Sequence, residues 1–115
     1  MIKDSKAKKT ITYKNLYGGK GLVHISHRIS ELEQSVGLDV FAEVIVETGA
    51  SIGYHIHKTD SEAYYILAGE AIFIDNGKIE KPVQQGDLCI ITKNQGHGII
   101  NTGRNELKIL AIVWS

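Results

Sequence analysis

Short apolar runs separated by glycine-containing turns are the feature that most constrains the fold of this chain. Within these runs the apolar residues alternate with polar ones or are β-branched, and each run has the length of a short strand. The chain has 12 glycines and one proline, which indicates many tight turns and hence many short strands. The sequence therefore predicts an all-β domain. The predicted strands are residues 22–29, 40–47, 63–67, 71–74, 88–91, 98–100 and 107–114.

The segments between these strands carry turn and helix signals. Asn76-Gly77 is the strongest hairpin signal, since a type I′ turn needs positive φ at both of its central residues. Only residues 29–36 have a helical pattern, with Ser30 and Glu33 at the spacing of a capping box. Short strands at this spacing indicate a sandwich, a jelly roll or a small barrel, and composition alone does not choose among them.

The overall charge argues against some classes of partner. Thirteen Lys and Arg balance thirteen Asp and Glu in 115 residues, whereas nucleic acids and anionic membrane surfaces select a large positive excess. We therefore expect one domain that binds neither nucleic acid nor membrane. The first 20 residues differ, with six lysines and one aspartate. We expect residues 1–20 to form a basic, partly ordered N-terminal arm and residues 21–115 to form the single domain.

Targeting signals and cysteine content bear on the cellular compartment. No run approaches the roughly 18 apolar residues of a transmembrane helix, and the N-terminus lacks the apolar core of a signal peptide, so we expect a cytoplasmic protein. The single cysteine, Cys89, fits that compartment and excludes an internal disulfide. It lies in an apolar predicted strand, so we expect it to be inert packing.

The five histidines are the first indication of chemistry. His55 and His57 are two residues apart, so on a strand their imidazoles share a face and can chelate one ion. Glu62 follows a four-residue connection rich in turn formers, where the chain can reverse and bring the carboxylate beside them. His97 begins another alternating segment and is the candidate for a fourth ligand. An isolated His-x-His is more often an ordinary pair of histidines, but the residues around this pair favour a metal site.

Those surrounding residues form a recognisable pattern. Gly49, five residues, His55-x-His57, four residues, Glu62, six residues and Gly69 resembles the first motif of the cupin superfamily, without departure. The resemblance extends over about residues 38–114 and is to the small single-domain members of the cupin-2 type.

The second cupin motif is matched in part. Gly86, His97 and Asn101 stand at its spacing, whereas Thr92 replaces a proline and Asn94 replaces a glycine. Asparagine tolerates positive φ better than other non-glycine residues, so we expect the turn at Asn94 to survive. The departures affect the shape of a loop and leave the candidate ligands unchanged.

The resemblance implies a double-stranded β-helix, or jelly-roll barrel, with a metal ion in its mouth. Its ligands are His55, His57, Glu62 and His97, the same four residues that spacing had brought together. The implied cofactor is one divalent transition metal ion per chain, with Mn, Fe, Ni, Co, Cu and Zn as alternatives. Three imidazoles and one carboxylate leave one or two positions of an octahedral ion open. The resemblance also implies a homodimer in which N-terminal strands cross between subunits.

Strand alternation predicts what lines the pocket. Tyr64 shares a face with Glu62 and is the candidate catalytic residue, whose hydroxyl can orient a bound molecule; the alternative is a plain core tyrosine. Tyr54 should point away from the site unless its strand has a bulge. His24 and His27 lie outside both motifs, and we expect them to be structural or interfacial, with a contribution to the pocket as the alternative.

These features lead to a hypothesis of function. A divalent ion held by three neutral imidazoles and one carboxylate is a positive centre, which favours small anions and oxygen-rich molecules. We expect a metal-dependent enzyme acting on such a molecule, with dioxygenase-like oxidation favoured over isomerisation or decarboxylation because acid and base groups are scarce. The alternatives are a non-catalytic, metal-dependent barrel that binds or senses a small ligand, and a structural barrel without metal.

Overall fold

The structure is a computed structural model that describes residues 1–115. It consists of ten strands and one short 3₁₀ turn, Leu16–Gly18. No helix in it has the length and apolar character needed to span a membrane. The strands are β1 Lys9–Lys14, β2 Leu22–His27, β3 Leu38–Val46, β4 Ser51–Ile56, β5 Ser61–Ala68, β6 Glu70–Asp75, β7 Ile79–Gln84, β8 Leu88–Ile91, β9 Gly96–Asn101 and β10 Leu107–Trp114.

The strands form two antiparallel sheets. One has six strands in the order β1-β2-β3-β10-β5-β8, and the other has four in the order β4-β9-β6-β7. Fully buried side chains from both sheets meet in one core, among them Ile66, Ile109 and Leu107 from the larger sheet and Ile99 from the smaller one. The chain passes repeatedly from one sheet to the other, and two sheets connected in this way make a jelly-roll barrel. This confirms the predicted all-β architecture.

The β6–β7 hairpin forms, but its turn differs from the prediction. Asp75 pairs with Ile79, so the loop has three residues, and positive φ occurs at Gly77 and Lys78. The predicted type I′ turn at Asn76-Gly77 is therefore wrong. Asn76 serves a different contact, because its side-chain oxygen accepts a hydrogen bond of 3.0 Å from the backbone N–H of Gly96 in β9.

The possible helix at residues 29–36 is reduced to a single turn. The capping interaction forms, since the Ser30 backbone N–H donates to the Glu33 carboxylate at 2.8 Å, and Gln34 N–H donates to Ser30 C=O at 3.1 Å. Leu32 and Val36 are fully exposed. The segment therefore buries no apolar face, and short helices without one are not stable.

The basic N-terminal segment is part of the barrel wall from Lys9 onward. β1 pairs along its whole length with β2 of the same chain. The 3₁₀ turn then packs against the backbone of β4, so closely that a Cβ on Gly53 would lie 2.0 Å from the Tyr17 carbonyl oxygen. Most lysines of the segment are exposed.

Candidate metal centre

The structure brings the four predicted ligands together between the two sheets. One ligand atom from each of the four side chains lies within 4.8 Å of the others, and together they could hold a metal ion. His55 lies in β4 and His57 directly follows that strand, while Glu62 comes from β5 and His97 from β9. The last two are the most buried, with His97 at 1% exposure and Glu62 at 9%.

A bulge in β4 aims the first two histidines. The pairing of β4 with β9 is irregular between Ile52 and His55, and then places His55 opposite His97. Ile52 and His55 therefore both face the interior although they are three residues apart. Tyr54 points away from the site although its strand has a bulge, and its hydroxyl accepts a hydrogen bond of 3.2 Å from Gly77 N–H.

Hydrogen bonds fix which ring nitrogen of each histidine faces the centre. The Nδ1 atom of His55 lies 2.8 Å from the Gly53 carbonyl oxygen, and Nδ1 of His57 lies 2.6 Å from the Asp60 carboxylate. Both partners only accept hydrogen bonds, so Nδ1 carries the proton in each ring. In the neutral imidazoles Nε2 is then a lone pair directed at the cluster, which is the form that binds metals.

The spacing of the donor atoms fits one ion. Glu62 Oε1 lies 3.1 Å from His57 Nε2 and 3.0 Å from His97 Nε2, and the two nitrogens are 3.2 Å apart. Ligands about 2.1 Å from one ion and at right angles lie about 3.0 Å apart. Lone pairs and a carboxylate this close repel one another unless a positive charge lies among them. The donor set therefore fits a divalent cation.

The pKa shifts reflect the same need for positive charge. Burial raises the pKa of Glu62, but its contacts with His57 and His97, which become hydrogen bonds when those rings are protonated on Nε2, outweigh burial, so its pKa lies below the ordinary value. The contact with Glu62 is the main cause that raises the pKa of His57. Burial lowers the pKa of His55, which keeps that imidazole neutral and available as a ligand.

Aromatic rings hold two of the imidazoles in place. Tyr64 is 3% exposed and stacks on His97 with ring centroids 4.7 Å apart. On the other side of the cluster, Tyr17 of the 3₁₀ turn stacks on His55, with ring centroids 3.8 Å apart and an angle of 14° between the ring planes. Burial raises the pKa of Tyr64 well above its ordinary value, so its phenol stays protonated. It can therefore donate a hydrogen bond but does not act as a base.

A cavity of about 280 Å³ adjoins the cluster, and most of its wall is apolar. His55, His57, Glu62 and Tyr64 line it from one side. His27 also lines it, which agrees with the alternative given for this residue, a contribution to the pocket. His24 lies on the opposite face of β2, where it contacts Thr12 and Glu47.

Sequence reasoning missed Asp60 and Tyr17. Asp60 had a usable signal, since it is a carboxylate in the connection between two candidate ligands, three residues after His57. Tyr17 had none, because it lies in the lysine-rich segment, far from both motifs, and reaches His55 only through the packing of the 3₁₀ turn.

A protein-family model, described as Cupin domain, matches residues 42–113. The chain belongs to the cupin family. Its two departures from the second motif are local: Asn94 adopts φ 71°, so the turn survives without glycine as expected. Asn101 of this cupin has a structural role, since its amide donates to the carbonyls of Val46 and Asn105 at 3.0 and 2.9 Å.

Known proteins similar to this cupin include two with names that mention oxalate. An oxalate-binding protein of Thermotoga maritima is 39% identical over 99 residues, which are 86% of this chain and 81% of that protein. The crystal structure of a predicted oxalate decarboxylase from Thermotoga maritima superposes with a TM-score of 0.91 at 35% identity, covering 99% of this chain and 98% of the other.

Other relatives extend the family without adding a function. An uncharacterized protein of Methanocaldococcus jannaschii is 43% identical over 70 residues, which are 60% of this chain and 54% of that protein. A Cupin 2 conserved barrel domain protein from Salinispora arenicola has a TM-score of 0.74 at 16% identity, over 100% of this chain and 87% of the other. At that identity the likeness concerns the fold alone.

Proposed function

We propose that this cupin binds a divalent transition metal ion at His55, His57, Glu62 and His97 and holds a small carboxylate of the oxalate class on that ion. The observation that carries the proposal is the convergence of imidazole lone pairs and one carboxylate beside a small cavity. The names of the Thermotoga maritima relatives support the ligand class.

Charge favours an anionic ligand. Three neutral imidazoles, one carboxylate and a divalent ion sum to a net charge of about +1. The apolar walls of the cavity lower the local dielectric, which strengthens the attraction between this centre and an anion. When bound, the ion supplies a Lewis acid with open positions for carboxylate oxygens.

The residues around the ligands have distinct roles in this proposal. Asp60 and the Gly53 carbonyl hold the rings of His57 and His55 in their metal-binding orientation. Tyr64, the candidate catalytic residue, keeps its proton and donates a hydrogen bond to an oxygen of the ligand. Its stacking on His97 fixes the direction of that donation.

Binding without turnover is the form of the proposal that the cavity supports best. A decarboxylase needs a proton donor for the carbanion. Neither nearby carboxyl group is free for this role, because Glu62 is a proposed ligand and Asp60 accepts a hydrogen bond from His57. Tyr64 is the remaining acid beside the cluster, and its high pKa makes it a weak one. Dioxygenase-like oxidation is the second candidate, because this scarcity of acid groups hinders it less.

Isothermal titration calorimetry with oxalate tests the proposal. Protein loaded with Mn²⁺ should bind about one equivalent of metal and then oxalate, whereas metal-free protein should bind no oxalate. His57→Ala should abolish metal retention, and His24→Ala serves as the matched control on the outer face. Metal content below about a tenth of an equivalent after loading contradicts the proposal. Aerobic assays for formate, carbon dioxide and oxygen uptake then separate binding from turnover.

A further inference from the structure

His27 is the one histidine whose imidazole makes no hydrogen bond within the protein. Each of the other four has a protein partner for at least one ring nitrogen. These partners are Thr12 and Glu47 for His24, Gly53 for His55, Asp60 and Glu62 for His57, and Glu62 for His97. A half-buried imidazole with free donor and acceptor positions is available to a ligand.

The cavity gives this imidazole access to the metal centre. His27 and the cluster residues His55, His57 and Glu62 line the same cavity of about 280 Å³. The wall around them is largely apolar, with Ile25 among its residues. Apart from the cluster and its partner Asp60, the polar groups on this wall are His27 and three tyrosines.

Strand register shows how His27 lies relative to the cluster. Tyr64 of β5 pairs with Ala111 of β10, Ala111 pairs with Ala42 of β3, and Ala42 pairs with His27 of β2. Residues paired directly across antiparallel strands share a face, so these four side chains form one row on the inner face of the sheet. Two alanines stand between a tyrosine beside the metal centre and a histidine at the far end.

The row defines a trough with polar ends. Its end strands, β5 and β2, are separated by three strand spacings, which is about 14 Å between backbones. Larger residues at positions 42 and 111 would fill the space between Tyr64 and His27, whereas alanines leave it open. Oxalate, with two adjoining carboxylates, occupies only the end of this trough beside the ion.

We propose that His27 binds the far end of a ligand whose near end lies on the metal ion, so that the site takes small dicarboxylates or keto acids longer than oxalate. This proposal rests on the proposed function and specifies its ligand class. The imidazole N–H donates to a carboxylate or carbonyl oxygen, and the apolar walls contact the carbon chain between the two ends. His27 is in this sense a specificity-determining residue.

Calorimetry on the full chain loaded with Mn²⁺ tests this role, with oxalate, succinate and 2-oxoglutarate as the probes. His27→Ala should weaken binding of succinate or 2-oxoglutarate about tenfold or more, as expected for a lost hydrogen bond to a charged group. Oxalate binding should change less than about twofold, because oxalate is too short to reach His27. His27→Gln, which keeps an N–H donor, should restore part of the affinity.

Two controls make the outcome specific. His24→Ala removes an imidazole from the same strand but from the opposite face, and it should bind all three acids as the unaltered protein does. Metal content, measured on every variant, should stay the same, since His27 is not among the ligands.

The possible failures are distinguishable. If the unaltered protein binds oxalate but neither longer acid, or if His27→Ala binds the longer acids with unchanged affinity, this inference is overturned and the proposed function stands. If the metal-loaded protein binds none of the three acids, both are overturned.

Discussion

At the scale of single residues, Asp60 controls the orientation of a proposed ligand without reaching the cluster centre. Its carboxylate lies 2.6 Å from Nδ1 of His57. Removing such a partner typically costs about 10- to 100-fold in metal affinity, because the ring loses its tautomer and direction. Asp60→Ala should therefore weaken Mn²⁺ binding by about that factor, measured by competition with a chelator. Glu80→Ala, an exposed carboxylate on β7, is the control and should leave the affinity unchanged. Equal affinities for both variants would contradict the role of Asp60.

Cys89 allows a prediction about reactivity. The thiol is buried, and burial raises its pKa to about 11. A raised pKa keeps the thiol protonated to higher pH, so at pH 8 the reactive thiolate is about a hundredfold scarcer than for an ordinary cysteine. Iodoacetamide should label the native protein slowly, with a rate that rises about tenfold per pH unit toward pH 10.

Protein unfolded in guanidinium chloride is the control for this measurement. There Cys89 should react at the rate of a free thiol. Equal labelling rates for native and unfolded protein at pH 8 would contradict the expected inertness.

Only some residues of the site could be predicted from the sequence, and the reason differs from residue to residue. His55, His57 and Glu62 lie within eight residues of one another, so strand alternation and one chain reversal bring them together. His27 lies in the cavity because of pairing across β2, β3 and β10, which depends on strand order. Local patterns carry no information about that order. The sequence therefore does not show that His27, and not His24, lies in the cavity.

At the scale of elements, a contact between two glycines attaches the N-terminal segment to the metal centre. A Cβ on Gly53 would lie 2.0 Å from the Tyr17 carbonyl oxygen, and one on Gly19 would lie 2.3 Å from the Ser51 carbonyl oxygen. Only glycine permits the 3₁₀ turn and β4 to approach this closely. The contact places the Tyr17 ring on His55.

Gly53→Ala should therefore disturb both stability and the site. The added methyl group must push the 3₁₀ turn away from β4, which should lower the free energy of unfolding by about 1–3 kcal/mol. Metal affinity should fall as well, because His55 loses its stacking partner. Gly103→Ala is the control, since its Cβ would meet the flexible Glu70 side chain at 3.1 Å. Thermal denaturation and chelator competition measure both effects, and an unchanged melting temperature for Gly53→Ala would contradict this account.

The same contact explains why the N-terminal segment was difficult to predict. Its lysines indicate a solvated arm, and most of them are exposed. Ile11 and Tyr13 alternate with polar residues, but two apolar positions are too few to distinguish a wall strand from a tail. β1 is stable because it pairs with β2, and the 3₁₀ turn because it meets Gly53, and both partners are distant in sequence.

At the scale of the whole molecule, the outer face of the six-stranded sheet is unusually apolar. Tyr65 stands between Leu110 and Leu88 in one row across β10, β5 and β8. The next row contains Ile112 and Ile90 on either side of Ala63. Tyr65, Leu88 and Ile90 are 43%, 58% and 48% exposed. Contiguous exposed apolar surface of this kind is typical of protein interfaces.

This face offers an interface for a homodimer that differs from the arrangement the cupin resemblance implied, in which N-terminal strands cross between subunits. Three large apolar side chains in it, Tyr65, Leu88 and Ile90, are each about half exposed, and a standard interface buries roughly 800 Å² of such surface per partner. The two rows carry no charge, so two copies of the face do not repel each other. We therefore expect light scattering after gel filtration to give twice the chain mass of 12.7 kDa.

Charge placed in the centre of this face should separate the subunits. Tyr65→Lys and Leu88→Lys should each give the monomer mass, because a buried unpaired ammonium costs several kcal/mol in an interface. Ile79→Lys on β7 is the matched control, since Ile79 is 57% exposed on the opposite sheet, and it should remain dimeric. A monomer mass for the unaltered protein would exclude the dimer. A dimer that survives both substitutions would place the interface elsewhere. The exchange of β1 between subunits, which is the arrangement the resemblance implied, would then be tested by crosslinking β1 to β2.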